Sequence, residues 1–121
     1  MRHKVFTINP VIFPLVFTFC VGPRPTDKEA GRYCRLELWN GAGDPPSVGD
    51  GAAATINFSS GSFIWLPSGS KHKLHEYFAH ELVHVLTNSA KLLCQPMNHE
   101  TDEMHAYLAG WIAKEFYKQI K

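Results

Sequence analysis

The chain lacks most features that assign a protein to a class by composition. Its 121 residues hold three cysteines, Cys20, Cys34 and Cys94, widely spaced and with no C-x-x-C pair. That argues against a zinc ribbon or a disulfide framework, and reduced, buried thiols in a cytoplasmic protein are expected. Charge of one sign is missing too. Twelve Lys and Arg stand against eleven Asp and Glu, a formal net charge of +1, so no global field draws the chain to nucleic acid or membrane. An unbroken apolar run is also absent. Residues 5–21 follow Arg2, His3 and Lys4 as in a secretory signal, but Asn9, Pro10 and Pro14 interrupt them and no small-x-small cleavage pattern follows. Extended structure is the better account than a signal or a membrane span. No repeat or low-complexity tract occurs, and the length fits one domain, residues 1–121, with a real core.

Residues 4–8 and 11–21 are rich in Val, Ile, Phe and Thr and are split by Asn9-Pro10, which predicts two extended pieces, with Pro14 placing part of the second at an edge. Residues 22–28 are loop by their Gly and Pro content, and residues 33–39 alternate as a half-buried strand does, with Arg35 and Glu37 facing out. The Gly-, Pro- and Asp-rich residues 40–51 form a long surface loop, either a connector or the border of a site. Residues 54–58 and 62–66 flank Ser59-Ser60-Gly61, which is hairpin chemistry. Two helices follow, at about 70–93 and 100–120. The first has Leu74, Phe78, Leu82, Val85 and Leu86 as its stripe, with Ser68 or Ser70 as N-cap and Pro96 beyond its end. The second has Leu108, Ile112 and Phe116, capped by Asn98 or Thr101, with Lys114, Lys118 and Lys121 on a solvated face. The predicted class is α+β: three or four mostly antiparallel strands covered on one face by two main helices.

The first of these helices carries His80-Glu81-Leu82-Val83-His84. Residues four apart on a helix point the same way, so both imidazoles can reach one zinc ion, while Glu81, about 100° round, lies beside the water it would hold. The alternative is a helix whose two His residues are merely solvated or packed. An open zinc site usually takes a third protein ligand. Glu103 is the first choice, because it shares a helix face with Ala106, Tyr107 and Gly110, and the two small residues there would allow close approach; Glu100 and His99 are reserves. Thr87 and Ala90 stand where the metzincin pattern needs Gly and His, which excludes that pattern.

His80 to His84 together with Glu103-x-x-Ala106-Tyr107-Leu108-x-Gly110, preceded by Leu66-Pro67 at a strand end, resembles the gluzincins, and more narrowly small zincin-like proteins encoded by bacteriophages. The resemblance covers the C-terminal half. It implies a small zincin-like metallopeptidase domain in a host cytoplasm, with His80, His84 and Glu103 as zinc ligands and Glu81 as general base. Tyr107 stands where larger gluzincins carry an Asp that orients a zinc ligand. The hydrolysis expected is attack of a zinc-activated water on an amide carbonyl of a peptide or protein substrate, with Tyr107, His105 or His99 stabilising the oxyanion. A zinc-binding protein without hydrolysis and a metal-free assembly protein are the competing classes.

Overall fold

Runs of β-branched and aromatic residues become strands, and apolar residues at threes and fours become helices. Their order is β1 (Lys4–Ile8), β2 (Val16–Val21), α1 (Asp27–Cys34), β3 (Ala54–Phe58), β4 (Gly61–Leu66), α2 (Lys71–Leu92) and α3 (Asp102–Gln119). This computed structural model describes residues 2–35 and 37–120. The strands form one mixed sheet in the order β1-β2-β4-β3. β1 pairs antiparallel with β2 and β3 antiparallel with β4, whereas the central pair, β2 and β4, is parallel. Parallel neighbours need a long crossover. Here the chain leaves β2, builds α1 and the loop after it, and re-enters the sheet through β3.

Alternation along the strands assigns the two faces. Phe17, Phe19, Ile64 and Leu66 point toward Phe78 and Val85 of α2 and Leu108, Ile112 and Phe116 of α3. Cys20, Phe63 and Trp65 point the other way, toward Ala30 and Cys34 of α1 and toward Leu38 and Val48 of the following loop. β4 is therefore buried at every position, as a strand covered on both sides must be. Phe116 stacks on Phe78 at 4.3 Å between ring centroids and meets Phe19 at 5.0 Å. One aromatic cluster thus joins α2, α3 and β2, each such pair adding about 0.5–1.5 kcal/mol beyond its buried area.

The α+β class and the hairpin stand, and the two long helices lie within one or two residues of their expected ends. Several expectations are corrected. Among the described residues the sheet is covered on both faces, by three helices. Residues 33–39 are not a strand: Tyr33 and Cys34 close α1, Leu36 lies outside the described residues, and 37–40 are turn and coil. The cause is a capping box. Thr26 Oγ1 accepts from the Glu29 amide and the Glu29 carboxylate accepts from the Thr26 amide, which starts a helix inside an expected loop. Ala30, Cys34 and Leu38, four apart, are then buried together. Arg35 and Glu37 do face solvent. Residues 11–15 do not join the sheet, since Pro10 and Pro14 lack the N–H a ladder needs, and Val11 is 96% exposed. Ser70 caps α2. Lys114 and Lys118 are solvent-exposed, and Lys121 lies outside the described residues. Among the described residues no helix is long and apolar enough to cross a membrane.

Cys20 and Cys34 are buried, but Cys94 is exposed, contrary to expectation. Burial pushes the Cys20 and Cys34 thiols up to about 12. As pH rises past the ordinary thiol range, the unfolded chain sheds protons that the folded chain keeps, so stability falls with rising pH up to about 12. A thiol reagent should modify one cysteine rapidly in the native protein and all three after unfolding, measured by absorbance of the released chromophore. At the β3–β4 turn Gly61 has φ +153°, and a Cβ there would lie 1.8 Å from the Val16 carbonyl oxygen. Gly61→Ala should cost about 2–4 kcal/mol in urea unfolding, because it wedges β2 from β4.

Candidate functional site

Helix α2 starts where the Ser70 hydroxyl accepts from the Lys73 amide at 3.2 Å. It faces the sheet through Phe78 and Val85, and Glu81, three residues from one and four from the other, is carried into the same interface. Its carboxylate is buried, 5% exposed. A buried carboxylate needs a donor, and β3 supplies it: Thr55 Oγ1 donates to Glu81 Oε1 at 2.7 Å. The other oxygen, Oε2, faces His80 Nε2 at 3.8 Å. Two turns along, Asn88 donates from Nδ2 to the Gly61 carbonyl at 3.0 Å, and Ser62 beside it donates to Asn57 at 3.1 Å. A polar seam therefore fastens α2 to the β3–β4 hairpin.

His80 and His84 stand on the outer side of this seam. Both are solvent-exposed, and their ring centroids are 5.2 Å apart. His80 and Glu81 line a cleft of about 320 Å³ together with Gly51, Ala52, Ala53, Glu76 and Tyr77. The loop that forms its far wall is tethered by Arg24. The guanidinium donates to the carbonyls of Gly49, Asp50 and Gly51, at 3.2 Å for Asp50 and 2.6 Å for Gly51, and lies 4.9 Å from the centre of the Trp65 ring. A glycine-rich segment next to a buried carboxylate is thus held in place by the opposite core.

The structure gathers His80, Glu81 and His84 but does not bring Glu103 to them. Tyr117 of α3 touches α2 through His75, whose Nδ1 is 2.6 Å from its hydroxyl, and through Phe78. His80 and His84, five and nine residues past His75, lie about 140° and 180° round the helix from that contact. Glu103, Ala106, Tyr107 and Gly110 face away from α2: all are exposed, Tyr107 by 60%, and nothing lies within 4 Å of where a Gly110 Cβ would be. The small residues therefore do not serve close helix approach. The inner face of α3 is His105, Leu108, Ile112 and Phe116. His105 is buried with Nε2 2.9 Å from the Gln95 carbonyl, fastening the α2–α3 connection. His99 and Glu100 sit exposed in that connection. Among the described residues no three His, Cys, Asp or Glu side chains are gathered so as to hold a metal ion.

Tyr77, Thr55 and Arg24 are not among the expected site residues. Tyr77 was legible in principle, since it precedes Glu81 by one helical turn. Thr55 and Arg24 were not, because their contacts with Glu81 and residues 49–51 span 26 or so residues and depend on strand order.

Thr55→Val should lower unfolding free energy by about 1–3 kcal/mol, since it leaves a buried carboxylate oxygen without its donor. In a Glu81→Ala background the same change should cost much less, and a double-mutant cycle by urea unfolding reads the difference. No family model matches the chain, and neither a curated protein nor a solved structure matches it.

Proposed function

We propose that the chain is a zincin-type, zinc-dependent metallopeptidase whose working group is His80, Glu81 and His84. The observation that supports this most is the pairing of a buried carboxylate with two exposed imidazoles on one stretch of helix, where His80 and Glu81 line a cleft beside an edge strand. Carboxylates are rarely taken out of water without reason. The donor chemistry fits zinc for two ligands, His80 and His84; Glu103 and Tyr107, on the outward face of α3, form no part of this reading.

Bound by the two imidazoles, zinc would supply Lewis-acid polarisation of the scissile carbonyl. Glu81 does the proton work. With Oε1 anchored by Thr55, Oε2 stays on the His80 side of the carboxylate, placed to accept a proton from the attacking water and to pass it to the departing amine. β3 is at the sheet edge, so its outer N–H and C=O groups can pair with an extended peptide and set the scissile bond across the cleft. Tyr77 lines the cleft, and its hydroxyl is the donor assigned to the oxyanion in this reading.

Glu81→Gln should keep zinc and fold but lose hydrolysis, compared by mass spectrometry of peptide libraries digested at equal zinc loading. Cleavage by the variant at the wild-type rate would remove Glu81 as base. His80→Ala and His84→Ala should each weaken zinc binding by roughly a hundredfold or more, whereas Glu103→Ala should change it less than about threefold, measured by chelator competition.

A further inference from the structure

A second concave site lies on the opposite face of the sheet, against α1. It measures about 390 Å³ and is lined by Lys28, Gly31, Arg32, Arg35, Trp39 and Pro45, within the size range of small-molecule sites. Lys28, Arg32 and Arg35 follow one another at four and three residues, so three cations share one flank of a short helix. Like charges so placed repel. No ion pair relieves them among the described residues: Glu29, on α1's first turn, is taken by Arg2 at 2.8 Å, and neither Asp27 nor Asp44 pairs with any of the three. The guanidinium of Arg35 rests on the Gly41 backbone, where an added Cβ would meet Nε at 3.1 Å, and that of Arg32 lies 5.3 Å from the centre of the Tyr33 ring. Both heads are thus placed by their surroundings.

The floor is apolar and flat. Gly31 lets Trp39 and Pro45 reach the helix backbone, since a Cβ there would be 3.0 Å from the Trp39 ring and 3.2 Å from Pro45. The indole N–H is already bonded to the Ala42 carbonyl at 2.9 Å, which leaves the ring only its apolar surface to offer. We infer that this pocket binds a phosphate monoester with a flat apolar body, of the nucleoside monophosphate class. Arg32 and Arg35 present planar forks to the phosphate oxygens, Lys28 adds a point charge, and Trp39 with Pro45 takes the ring. Three cations match a dianion better than a single carboxylate. The site shares no residue with the His80–Glu81–His84 cleft and does not depend on the metallopeptidase reading.

Calorimetric titration of the full chain at low salt tests this with adenosine 5′-monophosphate, adenosine, inorganic phosphate and benzoate. The monophosphate should bind at one site roughly tenfold or more tighter than the other three, and the Arg32→Ala, Arg35→Ala double variant should lose at least that factor. Lys28→Ala, a single exposed change, should lose a smaller factor and serves if the double variant does not fold. Absence of monophosphate binding at millimolar concentration, equal binding of adenosine, or wild-type affinity in the double variant and in Lys28→Ala would overturn the inference. Benzoate binding as tightly as the monophosphate would overturn the phosphate assignment.

Discussion

The contact between the Thr55 hydroxyl and the Glu81 carboxylate is the constraint from which the rest of the site follows. A carboxylate carried into a protein interior must find donors or stay protonated, and at 2.7 Å Thr55 supplies one. Phe78 and Val85 turn α2 toward the sheet, and that bond pins the rotation at β3. With that rotation Asn88 reaches the Gly61 carbonyl, and His80 and His84 are left outside, side by side. The same bond occupies one carboxylate oxygen and leaves the other toward His80.

Strand order makes the bond possible. Because β3 is an edge strand paired with β4, Thr55 projects from the same face as Ile64 and Leu66, toward α2. The crossover that makes β2 and β4 parallel also delivers Arg24 and residues 49–51 to one place, so the cleft wall is tied to Trp65 in the second core. α3 closes the first core through Leu108, Ile112 and Phe116 on the far flank of α2. The cleft therefore opens between α2 and the loop before β3, not between the two helices.

What the sequence made legible was local. The apolar stripe of α2, the Ser70 cap, the Ser59-Ser60-Gly61 turn and the i, i+4 placement of the two histidines all follow from spacing alone. The Thr26-x-x-Glu29 capping box was equally local, but it lay within a stretch whose Gly and Pro content suggested loop, and Ala30, Cys34 and Leu38 had the helical spacing that an apparent alternation over residues 33–39 obscured. The placement of Glu103 needed something else: which flank of α2 the last helix would cover. Leu108, Ile112 and Phe116 fix the buried stripe of α3, and Glu103, five residues before Leu108, falls on the other side of the helix. Small residues at Ala106 and Gly110 suggested close packing, yet without apolar neighbours on that face they face water.

The proposed zinc site rests on the imidazoles of His80 and His84 beside Glu81, and X-ray absorption at the zinc edge, on protein loaded with one equivalent, tests it most directly. The site predicts nitrogen and oxygen neighbours near 2.0–2.1 Å with the outer-shell scattering of two imidazole rings, reduced to one in His84→Ala. Scattering without imidazole, or a sulfur neighbour near 2.3 Å from a cysteine, would contradict it.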